Sequence, residues 1–115
     1  MEKFFINGTT LDIENADTFF KRLRGLMFRR RLPAGRGLLL APCDGVHMFF
    51  MRFAIDVVYL DKDLRIKKIV HNLLPWLGVS VCLGAWGALE LTSGEAARLN
   101  LVVGQKFETG EQMRQ

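Results

Sequence analysis

Hydrophobic and polar positions alternate with a period of two at the start of the chain. Lys3 to Ile6 and Thr9 to Ile13 flank Asn7-Gly8, a dipeptide whose residues both tolerate the positive φ values of a tight hairpin turn. The period then lengthens. Ala16, Phe19, Phe20, Leu23, Leu26 and Met27 follow helical spacing and fall within an arc of about 120°, a normal core-facing stripe. A short amphipathic helix is predicted over 16–23, capped by Asn15 or Asp17 and ended by Gly25, with Arg22 and Arg24 flanking the apolar stripe.

Past Leu32-Pro33-Ala34-Gly35 the pattern returns to short aliphatic or aromatic runs separated by turn residues. Strands are predicted over Gly37 to Ala41, Val46 to Met51, Ile55 to Leu60, Leu64 to Val70, Trp86 to Thr92 and Gln105 to Thr109. Asp61-Lys62-Asp63 makes a compact hairpin joint, and Ser93-Gly94 sets up a turn of helix at Glu95 to Leu99. So many short strands with brief connections predict a mainly β, antiparallel, sandwich or jelly-roll-like domain with one or two short helices.

Between Ile69 and Leu89 no residue carries a full charge, a length sufficient for a membrane span. Pro75, Gly78, Ser80, Gly84 and Gly87 interrupt it, so it reads as turns between short strands.

Composition narrows the class. A chain of 115 residues, half of them hydrophobic, supports a single domain with its own core. A charged fraction of 24% and an aromatic fraction of 10% exclude a disordered chain. The tail from Gly110 is expected to fray. No basic stretch leads into an apolar leader, and two cysteines, Cys43 and Cys82, are too few for a secreted disulfide framework; a cytoplasmic protein with reduced thiols is expected. The formal charge of +4 is unevenly distributed. Lys21, Arg22, Arg24, Arg29, Arg30, Arg31 and Arg36 face only Asp17 between residues 16 and 36, an asymmetry that attracts acidic partners, anionic lipid or nucleic acid.

A wider pattern then emerges. Gly25-Leu26-Met27-Phe28-Arg29, Gly37-Leu38-Leu39-Leu40, Val46-His47, Phe49-Phe50-Met51-Arg52-Phe53 and Ile55-Asp56-Val57-Val58-Tyr59-Leu60-Asp61 continue to Pro75-Trp76, Leu89-Glu90-Leu91, Gly94 and Val103-Gly104-Gln105. In this order and spacing the chain resembles the bacterial and archaeal domain-of-unknown-function family 192, over roughly Asp12 to Phe107. The resemblance implies a compact, mainly β domain and no established activity, substrate or cofactor. Three positions depart from that pattern: Ala54 stands where proline is usual, Met48 replaces a small hydroxyl residue, and Leu77 to Leu83 is more apolar than the usual connection.

Several constellations invite chemistry. Cys43, His47, Met48 and Met51 resemble a soft-metal set. On an extended strand, however, His47 and Met51 would lie about 13 Å apart and His47 and Met48 would face opposite ways, so no metal is expected. Asp56 sits among apolar neighbours and needs a partner. Arg52 is the local candidate if the chain bends at Phe53-Ala54, with Arg24 or Arg29 as alternatives. A structural ion pair is favoured over a His47, Arg52 and Asp56 pocket able to hold an anion or act as general acid and base. Glu90 alternates with Leu89 and Leu91 and is read as solvated, unless it faces the basic residues 24–31. Cys43 carries no readable triad, and Gly35-Arg36-Gly37 lacks the strand-to-helix context of a phosphate loop.

Arg29-Arg30-Arg31 lacks the interleaved aromatics of a base-stacking platform, so a solvated basic face is favoured over nucleic-acid binding. The Pro75-Trp76 pair either packs back or exposes an interface anchor. The reading favoured is a non-catalytic module that binds a protein partner or small anionic ligand, combining the Arg22 to Arg36 region with the Trp76 loop. The contact candidates are Arg24, Arg29, His47, Arg52, Asp56 and Trp76; if the domain is an enzyme, His47, Arg52 and Asp56 are its catalytic candidates. No cofactor is expected.

Overall fold

The computed structural model describes residues 2–16, 18, 21–22 and 25–110. Its strands are β1 (Glu2–Ile6), β2 (Thr9–Ala16), β3 (Arg36–Leu40), β4 (Gly45–His47), β5 (Ile55–Leu60), β6 (Ile66–Leu73), β7 (Val79–Val81), β8 (Gly87–Thr92) and β9 (Glu108–Thr109), with a short helix α1 (Glu95–Arg98). Seven strands make one curled sheet in the order β6-β5-β8-β3-β2-β1-β9, and β4 pairs with β7 as a separate ribbon. The chain is mainly β, as its pattern predicts.

Asn7 and Gly8 take φ of 50° and 75° and join β1 to β2, with Ile6 opposite Thr9. Both central residues are left-handed, as the tightest hairpin turns require. The other pairings are antiparallel except one: β2 runs parallel to β3, with Asp12 opposite Arg36 and Ala16 opposite Leu40. That pairing corrects the start of the predicted helix. Ala16 ends β2 and is buried. The helical hydrogen bonds begin later, from the Arg22 N–H to the Thr18 carbonyl and from the Gly25 N–H to the Lys21 carbonyl, both 2.9 Å.

The cap is Thr18, whose hydroxyl accepts from the Lys21 N–H at 3.2 Å, while Asn15 instead donates to Glu2. Gly25 closes this turn at φ 50°, the left-handed geometry that glycine supplies at a helix end. Asp17, Phe19, Phe20 and Leu23, expected as cap and stripe, lie outside the described residues.

The sheet carries core on both faces. Leu39, Val58, Leu60, Leu89 and Leu91 face one cluster with Phe4, Leu11 and Ile13, closed by Ala96, Leu99 and Phe107. Leu38, Leu40, Val57, Tyr59 and Ala88 face the other, closed by Leu26, Leu32, Val46, Met48 and Met51. All six residues of β5 are therefore buried, the pattern of a strand covered on both sides.

Two predicted strands shorten: Gln105 to Thr109 is extended only over Glu108–Thr109. The segment Val46 to Met51 is extended only as far as His47; Phe50 has φ 63°, and the Met51 N–H bonds back to the Met48 carbonyl at 3.2 Å. The apolar run after Val70 divides into the end of β6, β7 and the start of β8, as its turn residues indicate. Among the described residues, no helix is long and apolar enough to cross a membrane.

Candidate functional site

The turn at Phe50 brings together residues that a straight strand would hold apart. A cavity of about 50 Å³ lies between the second core face and its cover, and its wall includes Arg22, Gly25, Cys43, His47, Met51 and Glu90. The 13 Å separation expected of His47 and Met51 thus does not apply. Among the described residues, no group of three or more His, Cys, Asp or Glu side chains is arranged to hold a metal ion. Cys43 and Cys82 are both free thiols. Burial raises the Cys43 thiol above its ordinary value, which keeps it protonated and a poor nucleophile.

Glu90 is the acid of this cavity, and the solvated reading of it is corrected. It is only 3% exposed. On β8 it stands opposite Leu38 of β3 and Val57 of β5, so its side chain shares the apolar second face. Its Oε1 is the atom that a Cβ on Gly25 would meet, at 3.2 Å. Among the described residues no hydrogen bond or ion pair reaches its carboxyl. Arg29 is spoken for: its guanidinium grips Glu14 through two bonds of 2.7 and 2.9 Å and influences Glu90 only through space. Burial pushes Glu90 up to about 8. It is therefore a neutral acid at pH 7, able to donate a hydrogen bond.

Asp56 is equally buried but differently served. Its Oδ1 accepts the Asn72 N–H at 2.9 Å, and its Oδ2 accepts those of Gly94 at 3.0 Å and Ala96 at 2.9 Å. The last two belong to the start of α1, so Asp56 caps that helix from a neighbouring strand. Backbone amides, rather than Arg52 or Arg29, are the donors the sequence left unidentified. Arg52 is exposed, and neither it nor Asp56 lines the cavity with His47. Arg24 lies outside the described residues. Near His47 a polar group is left over: its Nδ1 is buried without a hydrogen-bond partner among the described residues, and its ring lies 5.3 Å from that of Phe49.

The second candidate region is apolar and outward-facing. Trp76 is 52% exposed and meets Phe50 edge-on at 4.8 Å, and Phe50 meets Phe28 at 5.3 Å. All three are left-handed, with φ of 67°, 63° and 68°, a conformation that costs a bulky residue about 1–3 kcal/mol. Backbone bonds hold them there, from the Phe28 N–H to the Phe50 carbonyl at 3.0 Å and from the Trp76 N–H to the Met48 carbonyl at 2.7 Å. Leu77, Val79, Val81 and Leu83 continue the exposed apolar surface along β7 and its flanks. The sequence nominated Trp76 alone; Phe28 and Phe50 escaped because pattern cannot reveal a positive φ in an aromatic residue.

Comparison with known proteins places this geometry in a family. The model of DUF192, described as "Uncharacterized ACR", matches residues 3–109. A UPF0127 protein of Pyrococcus furiosus is 31% identical over 103 residues, which span 85% of this chain and 86% of that one. Another, from Thermococcus sibiricus, is 32% identical over 101 residues. Those residues span 84% of this chain but 64% of the relative, so this chain matches less than two thirds of its length. Among solved structures, a protein of unknown function from Novosphingobium aromaticivorans superposes with a TM-score of 0.82 at 25% identity, over 93% of this chain and 82% of that one. A putative transcription regulator from Sinorhizobium meliloti superposes at 0.84 and 22% identity, over 94% and 91%, a likeness of fold alone. The chain belongs to the DUF192 family, whose members named here carry no assigned activity.

Proposed function

We propose that this domain is a non-catalytic binding module whose Phe28, Phe50 and Trp76 surface docks a protein partner with an apolar centre and an acidic margin. One observation carries the reading. Of the four described residues other than asparagine and glycine with positive φ, three are these touching, exposed aromatics. Strain concentrated in an outward-facing cluster is held for shape, and pre-ordered aromatic relief lowers the entropic cost of docking. A lipid surface needs no such fixed relief.

The acidic margin follows from charge. Arg30 and Arg31 follow Phe28, Arg52 follows Phe50, and all three are exposed. Exposed Lys68 donates to the Val81 carbonyl at 2.9 Å and so lies beside β7. These cations steer an acidic partner and disfavour a basic one.

A photo-crosslinking amino acid at position 77 tests the reading in cells of the source organism, with position 62 as control. The expected adduct joins an apolar segment flanked by Asp or Glu in one partner, is lost on Trp76→Ala and Phe50→Ala, and weakens on Arg30→Glu with Arg31→Glu. Adducts only to lipid or to a second copy, or an adduct indifferent to Trp76, would overturn it.

A further inference from the structure

The cavity beside Glu90 stands apart from the docking surface and has a chemistry of its own. Glu90 projects from the centre of the sheet into apolar surroundings, 3% exposed, with no hydrogen-bond donor among the described residues. A carboxylate so placed is far costlier than a carboxylic acid. Beside it lies a hollow of about 50 Å³, room for about four water molecules, or equally for a ligand of about four heavy atoms.

The charges around the hollow decide what kind. Arg22 is on its wall, and Arg29 acts on Glu90 through space. The acid nearest Arg29, Glu14, is neutralised by it. Among the described residues the other titratable groups on the wall are Cys43 and His47, with Tyr59 and Cys82 on the same core face and Asp44 acting on Cys43 through space; burial holds the Cys43 thiol and the Tyr59 phenol in their neutral forms. Arg29 is paired with Glu14, so among the described residues the fully charged group on the wall itself is the Arg22 guanidinium, which donates to the Ala41 carbonyl at 3.4 Å, and the carboxyl is a donor. An ammonium would meet repulsion; an anion would meet a hydrogen bond.

We infer that the cavity binds a small carboxylate, the neutral Glu90 carboxyl donating its O–H to a carboxylate oxygen while Arg22 and Arg29 supply compensating charge. Acid-to-carboxylate hydrogen bonds are among the short, strong class, and a two-carbon carboxylate has the size the hollow allows. Gly25 keeps the space open: a Cβ there would press on the Glu90 oxygen at 3.2 Å. Because binding requires the proton on Glu90, affinity falls once that proton is lost.

Acetate is the probe, with chloride at equal concentration as the ionic control and methylammonium as the opposite charge. Titration calorimetry and the Glu90 carboxyl carbon shift are followed at about pH 6.5 and about pH 9.5. Acetate is expected to bind at the lower pH and at least about tenfold more weakly at the higher, and to move the Glu90 titration upward. Glu90→Gln, which retains an N–H donor, should bind acetate without that pH dependence, and Glu90→Leu should not bind it. Folding of each variant is checked by amide spectra. Methylammonium binding that tightens with pH, acetate binding that survives Glu90→Leu, or no acetate binding at about 0.1 M would overturn the assignment.

Discussion

Asp56 and Glu90 are two buried acids on adjacent strands of one sheet, and they are handled in opposite ways. Asp56 projects toward α1, where three backbone N–H groups converge on its oxygens. Glu90 projects to the other face, against side chains and a cavity, and receives none from the described residues. The first arrangement converts a charge into a fastening. It ties β5 to the bend at Asn72 and to the start of the helix, using donors that would otherwise be unpaired. The second leaves a carboxyl whose burial is offset, among the described residues, by no hydrogen bond and by Arg29 only through space, the kind of arrangement that stability alone does not favour. Glu95 follows the first pattern: buried, it accepts the Gly35 N–H at 2.9 Å and pairs with Arg98, which holds its carboxyl below the usual range.

The contrast can be broken experimentally, and its largest effect belongs to Asp56. Asp56→Ala leaves three amides without an acceptor and should cost about 3–5 kcal/mol in urea unfolding. Asp56→Asn, which keeps one acceptor oxygen, should fall between. A cost under about 1 kcal/mol would mean that the fastening is incidental.

Glu90 should show the reverse. Its native carboxyl holds a proton up to about 8, whereas the ordinary value is 4.5, so the native chain binds more protons than the unfolded chain across that window. Stability is full below the lower value and declines as pH rises toward the upper one. Asp12, Glu14, Asp61 and Glu95 are lowered by their partners and lose their contribution only as pH falls through the carboxylate range. The wild type should therefore be most stable near about pH 5. Glu90→Gln should abolish the decline, gaining about 2–4 kcal/mol relative to wild type at about pH 9. Denaturant midpoints across pH check this.

Gly25→Ala comes next, at about 1–2 kcal/mol lost, because its φ is +50° and the added Cβ crowds Glu90. Combining it with Glu90→Ala should recover part of the loss if the crowding is real. Smallest is Trp76→Gly. The exposed ring contributes little to folding while glycine relieves the left-handed backbone, so thermal unfolding should shift by less than about 1 kcal/mol. A large destabilisation would make the aromatic cluster a core element instead of a docking surface.

How much of this was legible depended on the range of the signal. The Asn7-Gly8 hairpin, β5, the joint at 61–63 and the turn of helix after Gly94 were readable because propensity and period act over a few residues. The strand expected through Met51 failed because apolar residues at 48–51 suit a turn packed on the core as well as they suit a strand. Alternation correctly gave Glu90 its own side of β8 but not what covered that side. Trp76 was open between two readings, and the fold leaves it exposed.

The sequence by itself determined that this is a mainly β domain of the DUF192 family, with a basic segment and an apolar connection. It also established that Asp56 needs a partner, since hydrophobic period and desolvation are local facts. Only the tertiary structure decided who answers each acid. Hydrogen-bond donors for Asp56 come from 16 to 40 residues away in the chain, and the cover over Glu90, which includes Gly25, Leu26, Cys43 and His47, comes from segments far from β8 in sequence. Such pairings depend on how strands are ordered in the sheet, and strand order is a property of the whole chain.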